Sequence, residues 1–195
     1  RTPDPAREGE IRTTQETNPA MSSSDNHRFA TRAIHAGQEA DGATGAIIPP
    51  IFQSSTHVQD AVGDMRQGYE YNRSANPTRS SLQQQLAALE RGEFAYSFAS
   101  GLAAEDALLR GLLSPGDHIV IGNDVYGGTY RLINRVFGAW GVQHSVVDLT
   151  DEASIEAGIT ENSRVLWVET PSNPLLSVVD IRALAELGHR HGLVV

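Results

Sequence analysis

Between Phe94 and Val195 short apolar runs alternate with helix-length stretches, and this alternation leaves few folds open. Phe94–Phe98, His118–Ile121, Gln143–Leu149, Arg164–Glu169 and Leu193–Val195 read as strands. Leu102–Leu109, Thr129–Trp140, Glu152–Ile159 and a stretch capped by Asp180 that runs through Ala183, Leu184 and Leu187 read as helices. Strands and helices in strict rotation predict an α/β fold, a mostly parallel sheet flanked by helices on both faces. The last run breaks off in mid-pattern, so the sequence reads as the first part of a larger protein.

The N-terminal third has a different texture. Residues 1–26 are polar, without apolar periodicity, and are expected to form a disordered tail; Met21 is a candidate start, with residues 1–20 an upstream extension. Residues 27–75 carry the breakers Gly37, Gly42, Gly45 and Pro49-Pro50 and few helix signals, which predicts an extended arm that buries its apolar residues on a neighbouring subunit. Tyr69–Arg73 alternates as an extended segment with Tyr69, Tyr71 and Arg73 on one side. Asn76-Pro77-Thr78 then starts a helix with Leu82, Leu86 and Leu89 on one face, stopped by Gly92. Residues 76–195 are assigned to the α/β domain.

Composition removes several functions. The net charge of −9 with no basic block argues against nucleic acid as a partner. No apolar stretch approaches a membrane span, and a soluble, cytoplasmic protein is expected. There is no cysteine, which removes disulfides and thiolate chemistry, and the seven histidines show no metal-ligand spacing. All 15 basic residues are arginine, so no mechanism that needs a lysine amine can be completed by these residues.

In an open α/β sheet ligands sit beyond the carboxyl ends of the strands. Ser100-Gly101 breaks a strand directly into a helix, which leaves free N–H groups at the positive end of the helix dipole, with room at Gly101 for a close approach. Asn123–Thr129 offers the ring of Tyr126 beside a Gly-Gly pair, and Glu169–Pro174 offers Glu169, Thr170 and Asn173. Each residue alone has a plainer reading. Ser100 suits an ordinary N-cap, Tyr126 packing, Glu169 the cap of a neighbouring helix and Arg73 a solvated surface. Together they suit a planar phosphorylated heteroaromatic cofactor.

Four motifs carry a resemblance. Tyr71-x-Arg73 with Asn76-Pro77-Thr78, Ser100-Gly101-Leu102-Ala103-Ala104, Tyr126-Gly127-Gly128-Thr129 and Glu169-Thr170-Pro171-x-Asn173-Pro174 occur in the order and approximate spacing of the Cys/Met-metabolism family of pyridoxal-phosphate (PLP) enzymes. The resemblance covers residues 28–195 and implies the PLP-dependent transferase fold type I, with the large domain truncated and the C-terminal domain absent. It implies that Gly101 and Leu102 give amides to the PLP phosphate, next to Ser100. Tyr126 would stack on the pyridine ring near the leaving group, and Asn173 would bond the phenolic oxygen. Tyr71 and Arg73 would reach the phosphate of a neighbouring subunit's cofactor. Glu169 is a motif residue without an implied role.

Within the family, methionine γ-lyases tend to have cysteine where Gly128 stands. Residues 30–37 and 167–171 are most similar to bacterial cystathionine γ-synthases. The implied reaction is γ-replacement, cystathionine from an O-acylhomoserine and cysteine, in a homo-oligomer built of site-sharing dimers, with a tetramer expected. Cystathionine γ-lyase and O-acetylhomoserine sulfhydrylase are the alternatives within the family; a non-catalytic phosphate-binding or assembly fragment is the alternative outside it. The Schiff-base lysine and the aspartate that pairs with the pyridine nitrogen are not among these residues, so the segment alone is expected to be inactive.

Overall fold

The structure, a computed structural model, describes residues 27–195, so the expected tail and the Met21 start lie outside the described residues. Contacts divide the chain into two units, with the division between Ser97 and Phe98.

The first unit contains a helix where only an arm was expected. Helix α1 (Phe29–His35) buries none of its own side chains and is fixed by polar bonds to α2 (Pro77–Glu90). Arg32 donates to the Ala88 carbonyl at 2.9 Å, and Gln85 of α2 donates to the Ala33 carbonyl at 2.7 Å. Gly37 makes the approach possible. Its φ is +68°, and a Cβ there would lie 2.5 Å from the Ser81 carbonyl oxygen. Helix α2 starts as its sequence predicts: Asn76 caps the Thr78 N–H at 2.9 Å, with Pro77 in the first turn. Asn76 also donates to the Phe52 carbonyl at 3.0 Å, which ties the arm to the helix start.

Three expectations about this unit are corrected. The leucine face of α2 is not its packed face, because Ser81, Gln85 and Ala88 meet the α1 segment while Leu82 is 47% and Leu86 39% exposed. Arg91, with φ of 56°, takes the left-handed cap expected of Gly92, and the Gly92 N–H bonds the Ala87 carbonyl. Tyr69–Arg73 is extended only as far as Tyr71, which bridges Thr56; Ser74 and Ala75 then both donate to the Tyr71 carbonyl and turn the chain. A small hairpin, β1 (Gln59–Ala61) with β2 (Asp64–Met65), completes the unit.

Phe94–Phe98, expected as a buried strand, is not one. Among the described residues its backbone has no ladder partner, and Phe94, Tyr96 and Phe98 stand exposed. Apolar alternation makes a strand only where a neighbour takes up its N–H and C=O groups.

The second unit follows the alternation closely. Helix α3 (Gly101–Leu112) leads to β3 (His118–Gly122). Helix α4 (Gly127–Arg131) continues through a π-helical stretch (Leu132–Phe137) into α5 (Gly138–Trp140), and β4 (Gln143–Val147), α6 (Glu152–Gly158), β5 (Ser163–Trp167) and α7 (Ile181–Arg190) complete the order. The strands are parallel in the order β4-β3-β5, and Val194 adds a parallel bridge to Val165. Every residue of β3 is buried. Ile119 and Ile121 face a core with Leu109, Ile133 and Phe137, while Val120 faces a second core with Ile155, Leu184 and Leu187. The two cores lie on opposite faces because strand side chains alternate.

At the amino end of the sheet, buried His118 bridges all three strands, with Nδ1 2.8 Å from Ser163 Oγ and Nε2 2.9 Å from Ser145 Oγ. Burial, and then the neighbouring His144, hold its imidazole below the usual histidine range. A depressed folded-state pKa means that His118 contributes fully above its unfolded pKa of about 6.5, and that this contribution falls as pH drops below that value toward the folded pKa. Urea unfolding followed by circular dichroism is therefore expected to show a midpoint that declines between pH 7.5 and 5. The decline should be shallower in His118→Asn; equal declines in both proteins would refute this assignment.

Candidate active site

The loops that leave β3 and β5 are joined by carboxylate hydrogen bonds, and α3 is tied to the first of them through Glu105. The first segment is the start of α3. Ser100 caps it, accepting the Ala103 N–H on its Oγ at 3.1 Å, as the plainer reading held. Its hydroxyl proton is not used in that bond. The Gly101 and Leu102 amides point out of the first turn without an intrahelical acceptor. A Cβ added at Gly101 would meet nothing within 4 Å. Two free N–H groups facing open space at the positive end of a 12-residue helix fit a phosphate group.

The second segment follows β3. Tyr126 is the N-cap residue of α4, and its ring, 43% exposed, lies against the backbone of Gly128. A Cβ on Gly128 would fall 2.3 Å from Tyr126 Cε1. Glycine at this position thus sets where the ring rests. Thr129, fully buried one position later, donates to Glu105 Oε2 of α3 at 2.8 Å and fastens α4 to α3.

The third segment follows β5. Glu169 accepts the Tyr126 N–H on Oε2 at 2.9 Å, so this carboxylate caps the neighbouring helix. Ser172 is buried, and its hydroxyl and that of Ser177 both donate to Asp124 Oδ2, the latter at 2.7 Å. These bonds, Ser172 first and then Ser177, hold the Asp124 carboxyl below the usual carboxylate range. Asn173 stands exposed on the same loop.

The structure thus links the segments of Ser100, Gly101, Leu102, Tyr126 and Asn173 within one unit. Tyr71 and Arg73 belong to the other unit, where the Arg73 guanidinium lies 5.1 Å from the centre of the Tyr71 ring. Asp124, Glu105 and Thr129 were given no role from the sequence. Their partners are 24 to 53 residues away along the chain, and no local spacing announces them. Among the described residues no group of three or more His, Asp or Glu side chains could hold a metal, and no helix is long and apolar enough to cross a membrane.

Helices on a parallel sheet, with a 12-residue helix whose first amides lack intrahelical acceptors and an aromatic ring in the loop after β3, define the class as an α/β protein. Residues 30–195 match the Cys/Met metabolism PLP-dependent enzyme family, and the chain belongs to that family. It is 57% identical over 159 residues to the cystathionine gamma-synthase of Mycobacterium tuberculosis strain H37Rv, covering 82% of this chain and 41% of that relative. The structure of metB from Corynebacterium glutamicum superposes with a TM-score of 0.82 at 49% identity, over 86% of this chain and 44% of that one. A cystathionine gamma-lyase from Lactobacillus plantarum, complexed with L-serine, gives a TM-score of 0.80 at 43% identity, over 86% of this chain and 43% of that one. The chain therefore spans about two fifths of the length of these relatives. Its fold is that of the PLP-dependent fold type I enzymes, and pyridoxal 5′-phosphate is the cofactor of its family.

The contact between Tyr126 and Gly128 makes a prediction. Gly128→Ala is expected to turn the Tyr126 ring away from the α4 backbone in a crystal structure. Because the ring is partly exposed and free to rotate, the cost in urea stability should be small, within about 1 kcal/mol. An unmoved ring in the variant would contradict the assignment.

Proposed function

We propose that the whole protein catalyses γ-replacement, joining cysteine to an O-acylhomoserine to give cystathionine, and that residues 27–195 supply the phosphate-facing half of its cofactor site. The observation that carries this reading is the braced corner of the second unit, where the free amides of Gly101 and Leu102, the Tyr126 ring and Asn173 lie on segments bonded to one another.

Each residue has a task suited to its chemistry. The amides of Gly101 and Leu102 and the hydroxyl of Ser100 bind the phosphate, and the helix dipole favours its charge. Tyr126 would stack on the pyridine ring, near the substrate's leaving group. The Asn173 amide donates to the phenolic oxygen. Bound PLP supplies an electron sink for the bonds at the substrate α-carbon. Tyr71 and Arg73 reach the phosphate in a neighbouring subunit, where a guanidinium fork gives strength and direction. The exposed Ile47, Ile48, Ile51 and Val62 of the arm support that arrangement, since an assembly of site-sharing dimers gives them a place to be buried.

The sequence has no lysine, so these 195 residues alone are proposed to hold PLP without a covalent bond and without turnover. Similarity to a cystathionine gamma-lyase favours γ-elimination as the second reading.

Two assays test the proposal. With O-succinylhomoserine and cysteine, the holoenzyme is expected to form cystathionine faster than it splits cystathionine to 2-oxobutanoate and ammonia; the reverse order selects the lyase. Borohydride treatment of the 195-residue chain with PLP should leave no cofactor attached after denaturation. Covalently retained cofactor would refute the proposal for this segment.

A further inference from the structure

Asp124 has no part in the contacts proposed for the cofactor, yet it gathers more of the site than any other side chain. It stands two residues before Tyr126, on the loop that leaves β3. Both Ser172 and Ser177, from the loop that leaves β5, donate to its single oxygen Oδ2. The loop they hold is closed on itself. The Ser172 N–H donates to the Ser177 carbonyl at 3.0 Å, the Ser177 N–H to Ser172 Oγ at 2.9 Å, and the Leu176 N–H to the Ser172 carbonyl at 3.1 Å. Asn173 is carried in that closed loop.

Packing does not fix the loop. Leu175 and Leu176 are 73% and 70% exposed, and Asn173 and Pro174 are exposed too; Ser172 alone is buried. The anchor to the rest of the unit is therefore the bonding at Asp124, where a carboxylate accepting hydroxyl protons makes bonds stronger than neutral ones. A second link runs the other way, since Glu169 of the β5 loop accepts the Tyr126 N–H of the β3 loop. Each loop gives a carboxylate and receives one.

We propose that Asp124 is a positioning residue: by gathering Ser172 and Ser177 it fixes Asn173 relative to Tyr126, so that the cofactor's phenolic oxygen and its ring are met by groups already in register. This role rests on the cofactor reading of Asn173 given above. Preorganisation of this kind removes a loop-ordering cost from binding, so it is read in cofactor affinity and in the electronic state of the cofactor as well as in rate.

The test is a mutant cycle in the PLP enzyme, reading the PLP dissociation constant and the pH titration of the bound cofactor's visible band. Asn173→Ala is expected to weaken PLP about tenfold and to shift the titration, the loss of roughly one hydrogen bond. Asp124→Ala should act in the same direction and by similar amounts, and the double variant should be no worse than the weaker single one, as coupled sites require. Asp124→Asn keeps an oxygen able to accept both hydroxyls and is expected to restore the titration to the wild-type position. If Asp124→Ala does not fold, Ser177→Ala removes one hydroxyl from a half-buried site and should show the same coupling on a smaller scale. Additive effects, or a wild-type titration in both Asp124→Ala and Ser177→Ala, would overturn the positioning role while leaving Asn173 as a cofactor contact. An Asn173→Ala variant with wild-type affinity and titration would overturn the cofactor reading of Asn173, and the positioning role with it.

Discussion

The second unit depends on the burial of β3 on both faces. A central parallel strand has no solvent side, so its five residues must satisfy two cores at once. Ile119 and Ile121 hold α3 and the π-helical stretch on one face; Val120 holds α6 and α7 on the other. Burial of such side chains stabilises by about 1.5–3 kcal/mol each. The parallel register with β4 and β5 then places the ends of β3 and β5 at the same edge. The loops that leave that edge are neighbours because the strands are.

What the sheet does not set is the fine spacing of those loops. Asp124 and Glu169 do that. Among the described residues neither carboxylate pairs with a cation; each accepts from hydroxyl or amide donors. Such bonds are directional in a way that apolar contacts are not. A site proposed to offer a ring, an amide and a phosphate cradle in one geometry is better fixed by directional bonds than by side-chain packing, and the exposure of Leu175 and Leu176 fits that division.

The fold of the second unit was legible in the sequence because each strand there finds a partner. The runs Gln143–Leu149 and Arg164–Glu169 each contain a strand that pairs with the central one in His118–Ile121, and Asp180 caps a helix as its position suggests. Phe94–Phe98 has the same local pattern and fails, since alternation states only that a strand is possible and the pairing is non-local. Helix α1 was missed for the converse reason. Its large apolar residues, Phe29 and Ile34, stand exposed rather than packed, and its support comes from Gln85 and Arg32, whose bonds span more than 50 residues. The leucines of α2 misled in the same way: a regular apolar face names a candidate surface and not its partner.

The candidate site divides along the same line. Ser100, Gly101, Tyr126 and Asn173 could be proposed from the sequence because their chemistry is local, a cap, a turn, a ring and an amide in motifs a few residues long. The side chains that hold them in register were not, because a carboxylate shows its role only through what reaches it. Glu169 makes the point: inside a motif it has no role that sequence can state, and in the fold it accepts one N–H from the segment 43 residues before it. The contacts proposed for the cofactor lie at the surface of the loops, and the serine bonds to Asp124 beside them are partly buried. Local motifs therefore specify what the site can bind, and long-range carboxylate bonds specify how well it is aimed.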